Sequence, residues 1–184
     1  MGRAVIVLAR GLLLALVVAL GASACATHVH GPAEALEAWR TGGRDRATVL
    51  AREEYDRFRR GSGLADDHVQ RTVRDAMAAL AERPVVPHVG LPLPVSTADL
   101  GPGALRGAIR TDLLSRRATA VLRACASVAN LGLTGHGPDL IAVIYDREPV
   151  AADGGLLEAA GVGLRSVATK RAALDALERL AAGR

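Results

Sequence analysis

Leu114-Ser-Arg-Arg-Ala-Thr-Ala-Val-Leu-Arg-Ala-Cys-Ala-Ser-Val128 decides the fold class. Leu114, Ala118, Val121, Cys125 and Val128 recur at intervals of four, three, four and three. That spacing puts all five on one stripe of a helix, the narrow seam used when helices pack on helices. The stretch is read as part of a helix from near Leu105 to Ala129, with room for a break, and Asn130-Leu131-Gly132 is its stop.

The same period extends in both directions. Upstream, Pro32 suits the first position of a helix, and residues 33 to 40 can make two turns before Gly42-Gly43. From about Asp45 to Arg60, Ala47, Ala51, Tyr55 and Phe58 share a face. Gly61-Ser62-Gly63 stops that helix. Another starts near Ala65, where Asp66 and Asp67 favour the positive end of the helix dipole. Its stripe is Val69, Val73, Met77 and Leu80, and it must end before Pro84. Two helices around a Gly-Ser-Gly joint predict an antiparallel hairpin. Downstream, a last helix is expected over Ser166–Ala182, with Val167, Leu174, Leu177 and Ala181 inside and Asp175 paired to Arg179 outside.

Two segments break the helical pattern. Residues 84 to 103 carry Pro84, Pro87, Pro92, Pro94 and Pro102, together with Val85, Val86, Val89, Leu91, Leu93 and Val95. They are read as an extended crossing packed along the helices or walling a groove, since a structureless loop of that length is uncommon in a compact domain. Leu140-Ile-Ala-Val-Ile-Tyr145 is the one good strand candidate, apolar throughout, but six residues fit a short buried helix equally. The expected fold is therefore mainly α: a small helical bundle with a Pro-rich crossing and at most a minor β element near 140–145.

The start of the chain has a different character. Arg3 and Arg10 precede Gly11-Leu-Leu-Leu-Ala-Leu-Val-Val-Ala-Leu20, followed by Gly21-Ala22-Ser23-Ala24-Cys25. A charged region, an apolar region and small residues are the parts of an export signal. The sixteen residues from Gly11 to Ala26 are short for a permanent span, which needs about 20. Leu20-Gly-Ala-Ser-Ala-Cys25 resembles the lipobox of bacterial lipoproteins, with Ala22 standing where Leu is usual. The resemblance implies that Cys25 receives a diacylglyceryl group and becomes the new N-terminus. Ala26, where Asp would favour the inner membrane, resembles members sorted to the periplasmic face of the outer membrane. Ordinary secretion is the rival, because Ala22-Ser-Ala24 and Ala24-Cys-Ala26 are both A-x-A cleavage sites. The organisation read from this is a signal peptide over 1–24, a tether over 25–32 and a single helical domain over 33–184.

Composition narrows the partners. Aromatic residues are 2% of the chain, namely Trp39, Tyr55, Phe58 and Tyr145. That is too few for a stacking platform that holds sugars or single-stranded nucleic acid. Losing Arg3 and Arg10 takes the 23 basic residues to 21 against 19 acidic, so +4 becomes +2. Arg57, Arg59 and Arg60 are interleaved with Glu53, Glu54 and Asp56, a solvated mixed-charge face rather than a phosphate-binding one. Lys170 is the single lysine, and the abundance of Arg, Ala and Gly reflects a GC-rich genome more simply than a purpose. With Cys25 lipidated, Cys125 has no partner in the chain and reads as a small buried hydrophobe.

Chemistry-bearing residues are sparse. Gly135-His136-Gly-Pro-Asp139 is the most site-like loop: an accessible histidine with an Asp able to orient its ring. The competing reading is a plain Gly-rich turn, with Asp139 at a strand entrance. Ser96, Ser127 and Thr134 are the available nucleophiles, none in a Gly-x-Ser-x-Gly elbow. His28 and His30 could ligate a metal, but two ligands on a tether fall short of the four of a structural zinc site. His68, facing solvent on its helix, and His88 could join His136 only if the fold brought them together. Asp146-Arg-Glu148 offers a carboxylate pair or a charged turn. Gly101-Pro-Gly103 ahead of a helix could offer N–H groups to an anion, but no phosphate-binding glycine motif is present.

The sequence therefore points to a membrane-anchored envelope lipoprotein with a non-catalytic interaction or accessory role. It is expected to hold no cofactor, to meet the membrane through its lipid and an unknown envelope protein, and to bind no nucleic acid. The alternatives are a periplasmic hydrolase using His136 and Asp139, and a carrier of a small apolar ligand.

Overall fold

A computed structural model describes residues 30–82 and 102–183. The leader, Cys25, His28, His88, Ser96 and nearly all of the Pro-rich crossing lie outside the described residues. Seven α-helices follow in order: α1 Pro32–Arg40, α2 Arg44–Gly61, α3 Asp66–Glu82, α4 Pro102–Leu114, α5 Ala118–Leu131, α6 Gly137–Tyr145 and α7 Val162–Ala181. The protein is a helical bundle. Among the described residues the sole β feature is an isolated parallel bridge between Arg117 and Ala151.

The apolar run at 140–145 is helix, not strand. Pro138 sits in the first turn of α6, where its missing N–H is no loss. Leu140, Ile141 and Ile144 are fully buried, a pattern of one, three and four that fits a helix face rather than the alternation of a strand. With no second strand among the described residues to accept its hydrogen bonds, the run closes its own as a helix. Asp139 consequently lies in the first helical turn, not at a strand entrance.

The expected helix from Leu105 to Ala129 breaks at residues 115–117. Arg116 there has φ 57°, left-handed and rare outside glycine. The break shifts the register: Leu113 is 2% exposed and belongs to the core, while Leu114 is 49% exposed. From Ala118 the seam runs as expected, with Ala118, Val121, Cys125 and Val128 all buried. The start of α5 is capped from outside, because the Asp153 carboxylate accepts from the Thr119 backbone N–H at 3.0 Å and its hydroxyl at 2.9 Å. Gly132, at φ 62°, ends the helix.

The last helix occupies the centre. Along α7, Arg165 to Lys170, Ala172 to Leu174, Ala176, Leu177 and Leu180 are all buried. A helix buried over most of its girth, with only a stripe through Arg171, Asp175, Glu178 and Arg179 turned outward, is a core helix, and Ala168, Ala172, Ala173 and Ala176 let neighbouring backbones approach it closely. It packs against α2, α3, α5 and α6. Each fully buried Leu or Val of this kind contributes about 1.5–3 kcal/mol. The hairpin expected of α2 and α3 is replaced by a shared support: each lays its stripe mainly on α7 rather than on the other. Their joint is fixed by polar contacts, with the Tyr55 hydroxyl donating to Asp66 at 3.0 Å and Arg59 at 3.5 Å from the same carboxylate. The Asp175 partner is Arg171, at 3.0 Å, one turn before it, and not Arg179.

Candidate functional site

The His136 loop is a 3-10 turn, Thr134–His136, running straight into α6. His136 Nδ1 lies 2.9 Å from Asp139 Oδ2, and Arg110 of α4 reaches the other oxygen of Asp139 at 3.3 Å. The sequence pairing of His136 with Asp139 is thus realised, in the geometry by which a carboxylate orients an imidazole. The histidine is not accessible, however: it is 2% exposed. Gly137 packs so tightly against the Trp39 ring that an added Cβ would fall 1.9 Å from it. His136 Nε2 is buried with no hydrogen-bond partner among the described residues. The expected nucleophiles are elsewhere: the Ser127 hydroxyl donates to the Arg123 carbonyl of its own helix at 3.0 Å, and Thr134 is exposed. His68 is exposed on α3, and no group of three or more His, Cys, Asp or Glu that could hold a metal occurs among the described residues.

The second cluster gathers around Lys170, which sequence reading passed over. Lys170 is 3% exposed. Its ammonium donates to the carbonyls of Val143 at 3.1 Å, Ile144 at 2.7 Å and Asp146, closing the C-terminal end of α6, and it lies 4.7 Å from the centre of the Phe58 ring. A cation at this end of a helix meets the negative pole of the dipole and the last unpaired carbonyls. Burial pushes the amine down to about 8, with Asp146 acting in the opposite direction. The signal was present in the sequence: the one lysine among many arginines sits between Ala168 and Ala172 on a helix with apolar residues on several sides.

Asp146-Arg147-Glu148 belongs to the same region and is fully paired. Arg116 holds Asp146 at 2.9 Å and also binds Glu148, while Arg147 reaches the buried Glu54 of α2 at 2.6 Å. The two carboxylates therefore act as a clamp between the α4–α5 break and the chain after α6. Tyr145 adds a hydrogen bond to the Leu50 carbonyl at 3.3 Å.

The third feature is an open groove of about 1280 Å³ along α3, α4, α5 and α7. Val73, Met77 and Leu80 form one wall and Ala172 and Ala176 line its α7 side. Asp112 and Asp175 also line it. Burial raises the pKa of both carboxyls, partly offset by Arg123 at 3.4 Å from Asp112 and Arg171 at 3.0 Å from Asp175. Cys125 beneath is fully buried, and burial raises its thiol well above the ordinary range, which keeps it an inert apolar group.

No family model matches this chain, and neither does any curated protein or solved structure.

Proposed function

We propose that the protein is a lipid-anchored bacterial envelope protein, held by Cys25 at the periplasmic face of the outer membrane, with a non-catalytic interaction or accessory role. The observation that carries the reading is Gly11–Leu20 followed by Gly21-Ala-Ser-Ala-Cys25. Acyl chains add about 0.8 kcal/mol of membrane affinity per buried methylene, so two or three chains anchor a domain without a spanning helix. No described helix is long and apolar enough to cross a membrane. Six residues separate Cys25 from Pro32, a reach of at most about 24 Å. Such a leash keeps α1 close to the lipid surface, so the partner is one met at that surface.

The polar clusters favour this reading over hydrolysis. His136, Asp139, Lys170, Asp146 and Glu148 are joined to backbone or to opposite charges, as in groups that fix helices. The test is intact mass and membrane fractionation of the protein made in its bacterial host, beside Cys25→Ser. A diacyl or triacyl increment lost in Cys25→Ser is expected. A soluble, unmodified product cut before Cys25 or after Ala26 overturns the reading.

The groove supports a second reading, the carrier of a small apolar ligand, through the apolar side formed by Val73, Met77 and Leu80, while Asp112, Arg123, Asp175 and Arg179 make the facing side polar. Native mass spectrometry of the purified protein tests it. A co-purifying molecule displaced by Met77→Trp, which fills the groove from its half-buried α3 wall, supports the carrier, and a bare protein rejects it.

A further inference from the structure

No further inference is drawn: the strongest candidate, the cavity of about 200 Å³ among α4, α5, α6 and α7 with Lys170 and Arg116 in its lining, carries nothing because its charged groups are already paired with one another or with the carbonyls ending α6.

Discussion

The two ends of α6 make an instructive pair. At its start, His136 and Asp139 stand out in the sequence as chemistry, and the structure buries the histidine against α1 and α4. At its end, Lys170 stands in the sequence only as the single lysine, with no role attached, and the structure makes it the cap of the helix. Both ends are polar, both are buried, and both hold α6 in place. The start is fixed by shape, through Gly137 under Trp39. The finish is fixed by charge, through one ammonium on three carbonyls.

That contrast can be broken by substitution. Gly137→Ala should have the largest effect, about 3 kcal/mol of lost stability in denaturant unfolding, because the new methyl overlaps the Trp39 ring and must displace it. A loss under about 1 kcal/mol would mean that Trp39 has room to move and that shape does not govern this end. Lys170→Met should lose about 2–3 kcal/mol at pH 7, since three buried acceptors lose their donor while the relief of a buried charge returns part of the loss.

Lys170 also carries a pH signature. Its folded pKa of about 8 lies below the 10.5 of the free side chain. Between those values the unfolded chain holds a proton that the native protein has released, so this group makes stability rise with pH. Below about 8 the contribution is absent, and above 10.5 it is complete, on the order of 3 kcal/mol. Cys125 and the tyrosines, whose folded pKa values are raised by burial, act in the opposite sense at alkaline pH. They are present in both proteins, so the gap between the parent and Lys170→Met isolates the lysine. The gap should widen from pH 8 to 10.5; a constant gap means the lysine stays charged and the carbonyls outweigh its desolvation.

Smaller effects sharpen the picture. His136→Ala should cost about 1–2 kcal/mol, through the lost bond to Asp139 and the space left behind. Arg116→Gly should change stability by less than about 1 kcal/mol. It removes the left-handed strain of a non-glycine residue while losing two half-exposed ion pairs, and these nearly cancel.

Periodicity carried the helices well where one face alone is buried. Ala47, Ala51 and Tyr55 on α2, and Val69 and Val73 on α3, are inside as their spacing requires. It failed where burial has no single face. On α7 the stripe of Val167, Leu174 and Leu177 is real, yet most of the residues between, Arg171 and Asp175 aside, are equally enclosed, and alanine looks the same to a hydropathy pattern whether it lies outside or against a neighbour. The run at 140–145 was ambiguous for the same reason, being apolar on every side. The break at Arg116 carries no glycine or proline to announce it, so the periodicity points to Leu114, one residue away from the true core occupant, Leu113. The His136–Asp139 contact was legible because both residues lie within one turn. The Lys170 contacts were not, because they join positions more than twenty residues apart.

The central place of α7 sets how the bundle can close. The helix that α2, α3, α5 and α6 lean on comes after all of them in the chain, and it must come back to residues such as Arg52, which its Glu178 meets across 126 positions. Without α7, the helices α2, α3, α5 and α6 have no common surface to close upon. Contacts between positions so far apart in the chain slow folding, because the loop between them must close before the contact rewards it.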